Sequence, residues 1–280
     1  LAGLLGLAFG SFLNVCLSRW PEGESVVKPR SHCRGCGRTL AWWENLPLAS
    51  WIALRGRCRT CQEKISWRYP LVELAVGGIW ALSAWNSIPE YPVLAVAEKE
   101  AIAGAGAMMI FSWLLIALAI LDAENLWLPN FLTYPGIIVG LVLTTIFWAV
   151  GTDFLRPAHP IDFFWKRVGS AAAAAALIFL IRWTYWLIRK REGIGLGDAK
   201  LMALLGAWLG LSGAMLSFAI GILLGSVFAL AILAVPAAQR DSDKWLLSKL
   251  PLGTFLCVGG IISALWGQPI IAAYMRLVGL

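Results

Sequence analysis

Charge is what this sequence has least of. Only 14% of its 280 residues are Asp, Glu, Lys or Arg, where a soluble domain carries about 25%. Mean hydropathy is +0.74, which excludes an ordinary water-soluble globule. The chain also lacks a charged n-region and an Ala-x-Ala cleavage site at its start, so the apolar block Leu1–Leu17 is expected to be retained rather than removed as a signal. It begins with Leu rather than Met, and a few starting residues are expected to be missing. No Gly-x-Gly-x-x-Gly pattern follows a strand, which removes a Rossmann-type nucleotide fold. No convincing internal repeat is present. The net charge of +7 does not point to nucleic acid, because the basic residues gather in a few loops rather than along one soluble face.

What is present is a series of apolar blocks near the length that spans a bilayer, roughly 20 residues of helix. The expected fold is an all-α polytopic membrane protein with about eight transmembrane helices in a lipid bilayer. The spans are Leu1–Ser18, Pro70–Ile88, Ala101–Leu121, Phe131–Val150 and Val168–Ile188. A helical hairpin follows, Ala199–Leu211 and Gly213–Pro236, turning at Ser212-Gly213, and then a last span, Pro251–Leu280. Between the first two spans, Arg19–Tyr69 carries ten basic residues against four acidic ones, which assigns it to the cytoplasm. The N-terminus then lies outside, and Asp122–Asn130 and Arg189-Lys190-Arg191 fall on the cytoplasmic face. The expected organisation is a first transmembrane helix (1–18), a cytoplasmic zinc-binding region (19–70) and a seven-helix membrane domain (71–280). The run Ala171–Ala176 is small-residue helix suited to close helix approach.

Within the cytoplasmic region lie Cys33-Arg34-Gly35-Cys36 and Cys58-Arg59-Thr60-Cys61. The 21 residues between these knuckles lie just beyond the usual window for a four-thiolate zinc site. A loop of this length without a core of its own gains order from a structural ion. A disulfide pair conflicts with a reducing compartment, and a redox CxxC usually comes singly. Cys33, Cys36, Cys58 and Cys61 are therefore the expected Zn2+ ligands. His32 is expected to be a neighbour, because four thiolates already fill a tetrahedron. Cys16 and Cys257 lie in helices, where packing is the default.

The stretch Gly193-Ile194-Gly195-Leu196-Gly197-Asp198 puts a carboxylate where a membrane helix begins. An ionisable group at membrane depth costs several kcal/mol, roughly 2.5 to 3.5 on insertion scales, so such a group is a functional candidate. The topology brings Asp122 to the same face. Two carboxylates close enough to share a proton cannot both ionise easily; one then serves as base toward water and the other polarises a carbonyl. The competing reading is two unrelated helix caps. Glu124 could take the place of Asp122, and Lys200 could pair with Asp198 or extend to the interface.

These motifs together resemble the type IV prepilin peptidase family, the GxGD-type leader peptidases and N-methyltransferases of type IV pilus and type II secretion systems. The resemblance runs through nearly the whole chain: Gly10-Ser11-Phe12-Leu13-Asn14-Val15, Arg19-Trp20-Pro21, both CxxC pairs, Asn45-Leu46-Pro47 with Ser50, Leu54–Cys58, and Ile65–Glu73. It continues through Asp122 with Leu128-Pro129-Asn130, Gly193–Leu201 with Gly206–Gly210, and Pro251-Leu252-Gly253. The resemblance implies Asp122 and Asp198 as catalytic aspartates. It also implies prepilin or pseudopilin substrates, S-adenosylmethionine as methyl donor, and a bacterial inner membrane location with the active site at the cytoplasmic face. The zinc-binding region would be the methyltransferase part. Departures are Asn130 where many members have Asp, Ile194 for a frequent Met, and Thr254 for a proline after Pro-x-Gly.

For the methyl donor, the glycine run before Asp198 follows a membrane helix and is not a cofactor loop. Arg19, Asn45, Arg68 and Glu73 are the candidates, by their polarity, membrane-edge position and place in the motifs; each is as readily a structural contact. Two other functions compete. A protease without methylation would lack the cysteine module. A transporter using both aspartates to bind ions would show charges near mid-membrane and inverted repeats.

Overall fold

The computed structural model describes residues 1–87, 95–150, 159–190, 195–234 and 250–279. Among these the chain is helical apart from brief links and residues 20–67, where turns, extended stretches and two isolated bridges surround two short helical pieces. In order come α1 (Ala2–Arg19), a 3-10 turn (Trp42–Asn45), α2 (Ala49–Ala53), α3 (Arg68–Asn86) and α4 (Ala95–Asn125). Then follow α5 (Asn130–Val150), α6 (Pro160–Arg189), α7 (Leu196–Leu233) and α8 (Leu252–Val278). Six of them, α1 and α4 to α8, are long and apolar enough to cross a membrane. The chain divides into two compact units, Leu1–Trp113 and Leu114–Leu280, and the division falls inside α4.

In the first unit α1 and α3 pack along their length. Glycine makes this possible: a Cβ on Gly10 would stand 2.7 Å from the Glu73 Cα, and one on Gly6 would stand 2.8 Å from the Gly77 Cα. Two helix backbones come this close where a side chain is missing on at least one of them. Aromatic groups flank the seam, with Phe9 and Trp80 rings 5.0 Å apart. α3 carries Arg68 and the buried Glu73, so it is less apolar than its neighbours although 19 residues long.

In the second unit the first part of α7 is the core. Leu201, Met202, Leu204, Leu205 and Ala207 are fully buried. α5 runs beside it, with Gly136 against Leu204 and the Trp208 Nε1–H donating to the Gly136 carbonyl at 2.9 Å. α6 lies on another side, where Ala171 and Ala174 are buried and a Cβ on Gly206 would meet the Ala171 Cα at 2.8 Å.

α7 is not one straight helix. Gly210 has φ 75° and ψ −179°, a conformation open essentially to glycine alone. The contacts with α8 show the consequence. Leu205 meets Gly260, yet Gly221 meets Leu256. In a continuous helix positions 205 and 221 would be about 24 Å apart, whereas 256 and 260 are separated by about 6 Å. The chain therefore doubles back at Gly210. Counted with α3, the reversal brings the long helical segments among the described residues to eight. The turn comes two residues before the expected Ser212-Gly213. Polar side chains serve the carbonyls around the break: Arg167 donates to Trp208 O (3.2 Å), and Ser217 and Ser263 both donate to Gly213 O (2.7 and 3.0 Å). An apolar surrounding tolerates a broken helix on just this condition.

α6 also begins earlier than the expected Val168. Pro160 occupies its first position, where the missing N–H costs nothing, and Asp162 sits in the first turn, favoured by the helix dipole. Phe163 stacks on Trp148 at 5.3 Å. The expected loops at 89–94, 151–158 and 237–249, together with Gly193 and Ile194, lie outside the described residues.

Candidate functional site

The four cysteines of the CxxC pairs converge. All four Sγ atoms lie within 4.8 Å of one another, and Cys33 Sγ is 3.6 Å from Cys61 Sγ. Four sulfurs at about 2.3 Å from one zinc ion stand about 3.8 Å apart, so the cluster fits a tetrahedral ion. Two local turns with the same hydrogen bonds build it. Cys33 N–H donates to Arg38 O and Gly37 N–H to Cys33 O, both at 2.9 Å; Cys58 N–H donates to Glu63 O at 2.9 Å and Gln62 N–H to Cys58 O at 3.1 Å. Each turn closes with one antiparallel bridge, His32 with Thr39 and Arg57 with Lys64. Main-chain N–H groups of Cys61 and Thr60 pull the Cys58 thiol down to about 6, which favours the thiolate a metal requires. His32 turns its Nδ1 toward Arg30 O at 3.2 Å and stands outside the cluster.

An ion pair supports the first turn. Arg38 grips Glu44 in two-pronged fashion at 3.0 and 2.7 Å, and Ala41 N–H donates to the same carboxylate at 2.7 Å. Burial is uneven, with the Glu44 side chain 1% exposed and Arg38 31%. Arg38 also reaches Cys58, which links the ion pair to the sulfur cluster.

Asp122 and Asp198 are both buried, 6% and 9% exposed, whereas Glu124 is exposed. Asp122 ends α4, and its Oδ2 accepts from the Thr254 N–H at 2.7 Å, with Thr254 Oγ1 at 3.2 Å. Asp198 occupies the first turn of α7 and receives the Gly195 N–H. The two carboxylates are close enough to act on each other electrostatically. They share neighbours: Leu128 lies against both Gly197 and Gly253, and a Cβ on Gly253 would stand 2.9 Å from Asp122 Oδ2. Only glycine lets α8 come this close. Lys200 turns away toward Asn130 Oδ1 (2.6 Å) and the Tyr134 ring (5.6 Å). Sequence reasoning missed Thr254, which it noted only as a departure from the family pattern. Cys257, expected to pack within its helix, is fully buried in α8.

The four polar candidates for the methyl donor separate into two pairs. Arg19 and Asn45 border one cavity of about 250 Å³, together with Phe12, Val15, Val27 and Arg30. Arg19 also ties the following loop to the end of α1, donating to Ser25 O (2.8 Å) and Pro29 O (2.7 Å). Arg68 and Glu73 belong to the α1–α3 seam. Arg68 donates to Ser18 Oγ at 3.0 Å, and Glu73 Oε2 accepts the Leu48 N–H at 2.8 Å. Beside them Asn14 Nδ2 donates to Tyr69 O at 2.9 Å.

Comparison with known proteins places these features in a family. The model described as "Bacterial Peptidase A24 N-terminal domain" matches residues 4–87, and that described as "Type IV leader peptidase family" matches residues 109–230. The chain is 33% identical to the prepilin leader peptidase/N-methyltransferase of Pseudomonas putida, over 100% of this chain and 94% of that protein. It is 30% identical to the protein of that name from Pseudomonas aeruginosa, over 99% and 93%, and 37% identical to the one from Myxococcus xanthus, over 86% and 66%. No solved structure matches the chain.

Proposed function

The chain belongs to the type IV leader peptidase family, and on that footing we propose that it removes the leader of type IV prepilins or pseudopilins and N-methylates the new N-terminus. Asp122 and Asp198 carry the cleavage. The observation behind this assignment is that two acids from distant helices are buried in mutual electrostatic range beside the N-terminus of α8. One carboxylate, ionised, takes a proton from a water molecule whose oxygen attacks the scissile carbonyl carbon. The other, protonated, donates to the carbonyl oxygen. Collapse of the tetrahedral species breaks the C–N bond, and the leaving amine takes up a proton. Where two carboxylates share one proton, the pair titrates as a unit.

The four thiolates hold a structural Zn2+ that orders residues 19–70, the part we assign to methyl transfer; residues 71–280 form the peptidase part. S-adenosylmethionine supplies a methyl group on a positively charged sulfur. In the cavity beside Arg19 and Asn45, guanidinium and amide donors suit its carboxylate end, and Phe12, Val15 and Val27 suit an apolar portion. At about 250 Å³ the cavity is smaller than the roughly 300–1,000 Å³ of sites that engulf a drug-sized ligand, so it holds one end of the molecule. We assign the face bearing Asp122, Asp198, Arg189 and Lys190 to the cytoplasm of a bacterial inner membrane, since positive charge gathers there.

Mass spectrometry of a co-expressed prepilin tests both activities, comparing the wild type with Asp122→Asn and Asp198→Asn. Leader loss plus one methyl group in the wild type alone supports the proposal. Leader loss without the methyl removes the transferase half, and cleavage by either mutant removes the dyad.

A further inference from the structure

The seam between α1 and α3 holds a polar cluster that the cleavage chemistry does not use. Its register is antiparallel: Gly10 backs onto Glu73, and Asn14, one turn later on α1, meets Tyr69, one turn earlier on α3. Side chains tilt toward the N-terminus of their own helix, so Glu73 leans toward the level of Asn14 and Asn14 toward the level of Glu73. Both residues are buried. The Asn14 amide is oriented by its Nδ2, which donates to Tyr69 O at 2.9 Å. That leaves Asn14 Oδ1 buried without a hydrogen-bond partner among the described residues. A buried acceptor in this state calls for a donor. Glu73 receives the Leu48 N–H at 2.8 Å and bonds the Ser11 side chain, yet it pairs with no cation among the described residues. Its two oxygens keep lone pairs beyond those two bonds. The cluster thus has acceptors to spare and no positive charge.

A strained turn closes it. Leu48 has φ 58° and ψ −49°, and Ala49 N–H donates to Pro47 O across it, a γ-turn that a leucine adopts only under strain. Release of Glu73 by the Leu48 N–H relaxes that turn and uncovers the carboxyl. The cavity beside Arg19 begins close by, since its walls include Val15, which follows Asn14, and Asn45, three residues before Leu48.

We propose that this seam binds a primary ammonium group during methyl transfer, with Glu73 and Asn14 Oδ1 as its acceptors and the Leu48 turn as its cover. An ammonium group brings three donors on one positive charge, which is what the cluster lacks. Two participants carry such a group: the cleaved pilin at its new N-terminus, and S-adenosylmethionine at its amino-acid end. The inference rests on the methyl-transfer reading above and goes beyond it in naming the acceptors and the chemistry they take.

The test measures binding rather than turnover. Full-length protein in detergent is titrated with S-adenosylhomocysteine, and with a synthetic peptide carrying the N-terminus of a cleaved pilin, its amine either free or acetylated. Glu73→Gln keeps the shape and an acceptor for Leu48 but replaces the carboxyl by an amide. Asn14→Leu removes the unpartnered oxygen at similar volume. Leader cleavage, carried by acids on α4 and α7, reports folding. If the seam takes the pilin, the wild type binds the free amine about tenfold or more tightly than the acetylated peptide, and both substitutions erase that difference. If it takes the methyl donor, both substitutions weaken S-adenosylhomocysteine about tenfold or more and leave the peptides unaffected. Unchanged binding of both ligands to a variant that still cleaves overturns the proposal and reduces the cluster to a seat for water. Equal weakening of every ligand, the acetylated peptide included, overturns it as well. Should Asn14→Leu fail to cleave, Glu73→Gln decides. A wild type that binds neither ligand and adds no methyl group sinks the methyl-transfer reading itself. A wild type that methylates, beside a Glu73→Gln variant that binds all ligands as the wild type does, sinks this inference alone.

Discussion

Gly37 and Gln62 occupy the same place in two different turns. Each lies four residues after the first cysteine of its knuckle, each returns its N–H to that cysteine's carbonyl, and each has a positive φ, 70° and 59°. Glycine accepts that conformation freely, while a side chain there costs roughly 1–2 kcal/mol. The first knuckle is therefore relaxed and the second strained. Gln62→Gly should stabilise the zinc region by about 1 kcal/mol, and Gly37→Val should weaken it by a similar amount or more. The rate at which a chelator strips the metal measures both, and a faster loss from Gln62→Gly would contradict the assignment.

Removing one sulfur from each knuckle goes further. Cys33→Ser with Cys58→Ser should take the protein from about one zinc per chain to almost none, because two thiolates cannot replace a tetrahedral set. Emission spectroscopy reads the metal directly. Proteolysis should then open residues 19–67 while leaving the membrane helices intact, and full zinc occupancy would dismiss the four-thiolate site.

The Arg38–Glu44 pair gives a pH dependence with a definite sign. The two-pronged Arg38 guanidinium, and after it the Ala41 N–H, hold Glu44 below the usual carboxylate range. A lowered folded value means that the pair stabilises the region fully above the unfolded value, about 4.3, and that this is lost as pH falls through the folded one. Glu44→Gln should consequently make the region more sensitive to protease from pH 8 down to about 5.5. In acid the difference from wild type should narrow. A gap that widens in acid would reverse the sign and refute the argument.

At the reversal in α7, Gly210→Ala forces a side chain into a glycine-only conformation and places its Cβ 2.8 Å from Arg167 Nη1. Strain of this kind costs roughly 1–3 kcal/mol. For a chain of this size the melting temperature in detergent should fall by roughly 2 °C or more. Gly213→Ala, close to the expected turn but at a helical φ, leaves that conformation open; it meets Leu209 side-chain atoms that would have to move. A larger loss at 213 than at 210 would place the turn where the sequence suggested.

Most of the helical plan was legible because apolar blocks of bilayer length find few places to be buried outside a membrane. The cysteine cluster was legible for a similar reason, since CxxC spacing constrains chemistry. The turn in α7 was not, because Gly206, Gly210, Ser212 and Gly213 all lie in one apolar run, and only packing against α8 selects Gly210. The start of α6 was obscured by Asp162, Lys166 and Arg167, charges that read as loop but sit on a helix that opens with Pro160. Choosing Asp122 over Glu124 needed burial, which a two-residue separation in sequence does not reveal. The contact of Thr254 with Asp122 was hidden because its shortest bond is made by the main-chain N–H, which nearly every residue type possesses.

The segment 196–209 is about 21 Å of helix, shorter than the roughly 30 Å hydrocarbon layer. Protein side chains, not lipid, enclose most of it. A full-length helix tilts or stretches its surroundings when the bilayer thins or thickens. This one has neither the length nor the lipid contact to respond. The depth of Asp198 is accordingly fixed by Gly136, Gly206 and Gly260 packing rather than by acyl-chain length, so on the proposed dyad the site keeps its own reference plane in membranes of different thickness.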